Sequence, residues 1–251
     1  MSVPVLMYHH VLSKDSFIAT GIDNFEKQMA FIAKNYKTLT SEEFKEFKKG
    51  EISVSKNSVL ITFDDGWRDN LELAYPILKK FNLKATLFIV TGWVDKASEK
   101  EYSFVERNHS ECKRIVKERP NEVILNWTQV ENMQDVFDIH SHTHFHRDDY
   151  FGKILLEEEL VLSKEKIKQN LGKNTTHLCW PRGVYNNKDI QLAKKIGYEV
   201  LYTTKRGINK PDNKLDEIKR ISVKKDEKWL KKQLFIFKND VLGSIYSKVK
   251  N

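Results

Sequence analysis

Ser58-Val59-Leu60-Ile61-Thr62-Phe63-Asp64-Asp65-Gly66 is an apolar run that ends in two carboxylates and a glycine. The run has the length and β-branched content of a buried strand. A polar turn follows at its C-terminal end. Adjacent carboxylates behind a buried strand are costly unless each has a partner or a task. Successive residues leaving a strand point in different directions, so one carboxylate can bind a metal while the other stays free as a base. The plainer alternative is an Asx turn with a helix cap, since Asp-Gly is common in turns.

Outward from this stretch, strands and helices alternate. Further strands are expected at 3–8, 85–90, 136–139, 176–180, 199–203 and 221–223. Phe25, Met29, Ile32 and Tyr36 recur at helical spacing, behind Asp23 or Asn24 as the cap. Thr40-Ser41-Glu42-Glu43 fits a capping box, and Gly50 closes that helix. Helices follow at 70–81, 126–133, 153–170 and 187–196, the last closed by Gly197. Strands alternating with helices imply a mainly parallel sheet. About seven βα units in a chain of this length favour a distorted (β/α) barrel of the α/β class over an open sheet, with active-site residues just after the strands.

The chain, 1–251, reads as a single domain. Residues 95–124 are polar, without clear period, and read as a surface insertion. In 226–251, Leu230, Leu234, Phe237, Val241, Ile245 and Val249 recur at spacings of three or four among lysines. That pattern predicts a C-terminal amphipathic helix, which packs on its own domain or lies on an anionic membrane surface.

Hydrophobic residues make up 40% and charged residues 31%, which excludes a disordered, collagenous or coiled-coil chain. Lys and Arg number 43 against 35 Asp and Glu, a net charge of +8. The lysines are spread out, so the balance permits an acidic partner, such as a membrane surface or a lipid-linked glycan, without requiring one; no nucleic acid is expected. Cys112 and Cys179 are too few for a disulfide scaffold. The N-terminus has no signal-peptide pattern and no run is long enough to span a membrane. The expected location is therefore cytoplasmic, free or peripheral on the inner membrane face.

A second cluster is His140-Ser141-His142-Thr143-His144-Phe145-His146, directly after an expected strand. His142 and His146 are four apart, which brings two imidazoles to one side of a helical turn. His140 and His144 share that spacing, so spacing alone does not choose the pair. Two His and one carboxylate leave open positions for water and substrate, the ligand count of a catalytic metal site. The metal acidifies water and the free carboxylate takes its proton, which is metal-assisted hydrolysis.

These residues resemble the polysaccharide deacetylase family (NodB-homology, carbohydrate esterase family 4), and within it the poly-N-acetylglucosamine deacetylase branch. Thr62 to Gly66 and His142 to His146 match its first two motifs, and Pro4 to His9 matches the opening of that branch. Pro76-Ile77-Leu78, Ala85 to Phe88, Trp127, Trp180 to Asn186, Thr203-Thr204 and Arg220-Ile221 fit further segments. The resemblance implies Asp64 as general base and Asp65, His142 and His146 as ligands of one divalent ion, zinc first, with nickel, cobalt or manganese as alternatives. It implies that the backbone N–H of Arg182 holds the oxyanion, and that His9, with His10 as rival, is the general acid. The third motif departs from the family: Cys179 stands where many members have an Arg that orients the base, and Arg182 replaces an aromatic residue. Arg182 is a candidate contact for an anionic group, and Trp67 and Tyr185 are candidates to stack on sugar faces. The expected activity is removal of an N-acetyl group from an amino sugar in a glycan or glycan precursor. A deformylase, an O-deacetylase and a catalytically degenerate glycan-binding barrel are the alternatives.

Overall fold

A computed structural model describes residues 1–147, 150–223 and 226–250, with side chains for all but the last three of these. Its strands are β1 (Val5–Tyr8), β2 (His10–Leu12), β3 (Ala19–Gly21), β4 (Lys37–Thr38) and β5 (Ser58–Asp65), then β6 (Ala85–Ile89), β7 (Phe137–Ser141), β8 (His177–Cys179), β9 (Val200–Tyr202) and β10 (Ile221–Ser222). Seven of them form one parallel sheet in the order β10-β1-β5-β6-β7-β8-β9, with β4 adding to β5. The expected seven-stranded α/β barrel is thus present. β2 and β3 form a separate small pair that sequence periodicity is too short to reveal.

β5 is buried along its whole length, which its unbroken apolar run requires of a strand covered on both faces. Tyr8, Phe25, Phe63 and Phe137 pack edge-on or stacked at 5.2–5.5 Å beneath the sheet's C-terminal rim. The sheet curls, and the chain itself spans the gap between its two ends. Leu201 N donates to Leu215 O at 2.8 Å and Thr203 N to Ile218 O at 3.0 Å, and the chain then runs on into β10 beside β1.

Helix ends follow the sequence closely where a cap is present. Thr40 accepts from Glu43 N, Glu43 returns the bond, and Gly50 ends the helix in the left-handed region at φ 79°. Asn126 and Asn186 cap the helices Trp127–Asn132 and Asn187–Ile196 in the same way. The helix Ile22–Asn35 starts earlier than Asp23 or Asn24 predicted, at an N-cap on Gly21, with Asp15 rather than a helical residue accepting the Gly21 N–H.

Two expectations need correction. Residues 95–124 are more than a surface excursion. They form the helices His109–Ile115 and Pro120–Val123, and Cys112, Val116, Val123 and Ile124 are buried. Apolar residues too sparse to show a period suffice when a short helix docks one face. At the C-terminus, the single helix expected over 226–251 is two, Glu227–Phe237 and Asp240–Lys250, divided at Lys238 and Asn239. Leu230, Leu234 and Phe237 are buried against the barrel, whereas Val241 and Ile245 are exposed. Asn251 and the side chain of Val249 lie outside the described residues. Among the described residues, no helix is long and apolar enough to cross a membrane.

Candidate metal centre and catalytic cleft

Parallel register brings the two sequence clusters to one rim. Asp65 pairs with Ile89 on β6, and Ile89 pairs with Ser141 on β7, so His142 emerges beside the end of β5. Tyr8 pairs with Phe63, so His9 emerges beside Asp64 on the other side. A cavity of about 130 Å³ opens there, lined among others by His9, Asp64, Asp65, Trp67, His142, His146 and Arg182.

The backbone at this rim is strained. Asp65 (φ 77°), Thr143 (φ 68°), His146 (φ 60°) and Arg182 (φ 57°) occupy the left-handed region without being glycine. Each such residue costs on the order of 1 kcal/mol or more, a cost that concentrates at functional sites. The turn at Asp65 leads into Gly66, whose φ of 83° suits glycine.

The two carboxylates have different partners. Asp64 is 2% exposed, and its oxygens accept from Arg220 Nη1 at 2.7 Å and Nη2 at 2.8 Å. Arg220 also donates to Thr203 O, Thr62 Oγ1 and Cys179 Sγ. Burial pushes the Asp64 carboxyl up, and the Arg220 guanidinium overrides it, holding the group below its ordinary value. Asp65 turns the other way. Its Oδ2 accepts from Trp67 Nε1 at 2.8 Å, while among the described residues the buried Oδ1 has no hydrogen-bond partner. His142 Nε2 lies 3.3 Å and His146 Nε2 3.5 Å from that oxygen. Burial opposes the charged form of Asp65 too, but His142 and His146 hold its carboxyl well below the usual range.

Asp65, His142 and His146 can converge on one cation, and so can Asp64, His142 and Cys179. The second set is disfavoured, because Asp64 and Cys179 already accept from the Arg220 guanidinium and a cation there would face that charge. The first set has a buried oxygen that otherwise lacks a partner, which a cation would satisfy. Its surroundings also suit a metal: His142 Nδ1 is bonded to Cys179 O at 2.8 Å, which turns Nε2 toward Asp65.

His142 and His146 meet for a reason other than helical spacing. They flank an irregular loop with ring centroids 4.9 Å apart. Glu159, 2% exposed, accepts from His144 N at 2.8 Å and Phe145 N at 2.6 Å and so braces that loop. Gly92 N donates to His144 O at 2.7 Å; a Cβ on Gly92 would lie 2.4 Å from the Phe145 ring. The rival pair His140 and His144 separates. His140 is bonded to Ser41 and Thr175 and stacked on His177 at 4.4 Å, while His144 is bonded to Thr91.

His9 lies at the cavity, its Nε2 3.8 Å from Asp64 Oδ2, while His10 turns into the interior and bonds Asp69 at 2.7 Å. Burial lowers the His9 pKa against the pull of Asp64 and Asp65. Trp67 lines the cavity but is 1% exposed, stacked on His10 at 4.6 Å and bonded to Asp65, so its ring braces a candidate ligand rather than lying open to a sugar. Tyr185 is a correction: it is not among the residues lining this cavity. Its hydroxyl is drawn to Glu217, and its ring stacks on Trp180 at 5.7 Å.

Arg220 is the functional residue that sequence reasoning left without a role. It reaches Asp64 from the segment that bridges β9 and β10, and Cys179 leaves room for it. The signal available was the missing Arg at Cys179, which implied that another cation must face Asp64.

The sequence profile described as polysaccharide deacetylase matches residues 51–201. The chain belongs to the polysaccharide deacetylase family. Among family relatives, YxkH of Bacillus subtilis, assigned to the polysaccharide deacetylases, is 30% identical over 88% of this chain and 71% of its own. The poly-β-1,6-N-acetyl-D-glucosamine N-deacetylase of Staphylococcus epidermidis is 29% identical over 90% of this chain and 80% of its own. The structure of Streptococcus pyogenes deacetylase PplD in complex with acetate superposes with a TM-score of 0.77 at 25% identity, covering 93% of this chain and 98% of that one.

Proposed function

We propose that this polysaccharide deacetylase is a metal-dependent N-deacetylase that removes acetyl groups from amino sugars of a glycan or glycan precursor. The observation that carries the reading is the buried, unpartnered Asp65 Oδ1 between two imidazoles, next to an Asp64 that is already paired with Arg220. Asp65, His142 and His146 would hold one divalent ion, zinc first. When bound there, the ion would polarise the acetyl carbonyl and lower the pKa of water.

The chain's own residues supply the rest. Asp64, kept ionised by Arg220, accepts a proton from the attacking water, and the guanidinium fork fixes the direction of its lone pairs. His9, across 3.8 Å from Asp64, gives a proton to the leaving amine. Arg182 lines the cavity, and its backbone N–H would hold the oxygen on which charge develops. A cavity of about 130 Å³ suits an acetamido group, with the sugar ring lying across its mouth. The N-acetyl preference is supported by the Staphylococcus epidermidis relative, whose name specifies that chemistry.

The test is acetate release from a β-1,6-linked N-acetylglucosamine oligomer, with and without a chelator. We expect release that the chelator abolishes and zinc restores. No release with any divalent metal would contradict the reading, and hydrolysis of O-acetyl esters alone would favour the O-deacetylase.

A further inference from the structure

We propose that His109, carried by the insertion helix, positions the saccharide by accepting a hydrogen bond from a sugar hydroxyl, and that Asp69 and His10 fix it in that role. The inference rests on the saccharide-binding reading of the cavity above. Asp69 Oδ1 accepts from Val11 N at 2.8 Å and from Asn70 Nδ2 at 3.1 Å, so the carboxylate is locked in place. Its Oδ2 lies 2.7 Å from His10 Nδ1. A carboxylate only accepts, so His10 Nδ1 donates. In the arrangement we propose, His10 is the neutral Nδ1–H tautomer, so its Nε2 accepts from the group facing it at 3.0 Å, His109 Nδ1. His109 Nδ1 therefore donates, which leaves His109 Nε2 without a proton.

His10 is fully buried and stacked on Trp67, whose indole bonds Asp65, so this chain of bonds is anchored to the metal-ligand side of the cleft. His109 itself lines the cavity, as does Lys113, one helical turn further on. Burial lowers the His109 pKa to about 4 and keeps the ring uncharged near neutral pH. Among the described residues, nothing bonds its Nε2. A neutral imidazole that lines the cavity and offers an acceptor on the nitrogen opposite its anchor can take a hydrogen bond from a hydroxyl of a sugar lying across the mouth.

Two substitutions separate this role from a mere tether of the insertion. His109→Asn places an amide near Nδ1 and keeps the bond to His10, but leaves nothing at the Nε2 position. His109→Gln places an acceptor near Nε2 and loses the bond to His10. Both are compared by calorimetric binding of a β-1,6-linked N-acetylglucosamine pentamer to the zinc-loaded protein in an Asp64→Asn background, where turnover does not interfere. We expect the Asn variant to bind about five- to tenfold more weakly and the Gln variant to stay within about twofold of the parent. Unchanged binding by Asn, a loss by Gln as large as that by Asn, or no saturable binding by the Asp64→Asn parent would overturn the proposal. Acetate release by the unsubstituted protein is scored separately. The expected binding pattern without acetate release would contradict the deacetylase reading and leave this inference standing.

Discussion

Asp64 and Asp65 are the same residue type one position apart, and the roles we propose for them differ by their partners alone. Asp64 meets a guanidinium and Asp65 meets two imidazoles. Replacing Asp64 by Asn should leave zinc binding intact and lower kcat by about 10²–10⁴-fold, the range for losing a general base. Replacing Asp65 by Asn should instead lower zinc affinity by at least about 100-fold, more than the loss typical of an outer-shell partner. Metal content and turnover measured on both variants distinguish the roles. Arg220→Gln tests the orienting cation. Burial raises the Asp64 pKa and Arg220 lowers it, so without Arg220 the base stays protonated to higher pH. The acid limb of kcat/KM should move to higher pH, and unfolding free energy should fall by about 3–5 kcal/mol, because a buried carboxylate loses its partner. An unmoved acid limb would show that Arg220 does not tune the base. Sequence reading found both aspartates because carboxylates after an apolar run stand out. It left Arg220 without a role because Arg220 reaches Asp64 across a separation of 156 positions that no local pattern records.

The histidine loop is the element on which the centre depends. Its conformation is set by partners on other elements: Ile89 O accepts from His142 N, Gly92 N donates to His144 O, and Glu159 takes two loop amides. Glu159→Ala should therefore weaken zinc binding by about 10–100-fold without touching a ligand, as loss of an outer-shell partner typically does. Competition with a zinc chelator measures that change; an affinity equal to wild type would mean that the loop holds its shape unaided. Gly92→Ala should be destabilising, since a Cβ would lie 2.4 Å from the Phe145 ring and 2.7 Å from His144 O, which is backbone. Thermal unfolding checks it, with a fall of several degrees expected. The spacing of His142 and His146 pointed to the pair that converges on Asp65, by way of a helical turn that does not form. The capping box at Thr40 was legible because it is a local bond between a side chain and a nearby amide. The packing of residues 109–125 over the cleft was not legible, because it rests on few apolar residues contacting distant elements.

At the scale of the molecule, the barrel carries a second polar cluster away from the cleft. His140 and His177 stack at 4.4 Å inside the protein, bonded to Ser41, Thr175 and Tyr202. Burial lowers both pKa values; the neighbouring ring and Lys173 add to this for His140, and Lys45 adds to it for both. Glu42, 3.9 Å from His177, and Asp138 oppose the shift without reversing it. The native state thus disfavours protonation of both rings, while the unfolded chain takes up protons as pH falls through about 6.5. Stability should be fully present above that pH. Below it, stability should decline by up to about 1.4 kcal/mol per pH unit for each histidine. Urea denaturation between pH 7 and pH 5 measures the slope, and His177→Gln should reduce it. The seven strands were legible because each is an apolar run and helices separate most of them. The way the chain spans the gap between β9 and β1 was not, since residues 215–220 bond through their backbone and show no strand pattern.

The central claim is that one cation sits among Asp65, His142 and His146 while Asp64 remains with Arg220. The most direct measurement is an anomalous difference map from crystals of the zinc-loaded protein. It should show a single peak between Asp65 Oδ1 and the Nε2 atoms of His142 and His146, with the Asp64–Arg220 pair intact. A peak among Asp64, His142 and Cys179 instead, or no bound zinc, would contradict the account.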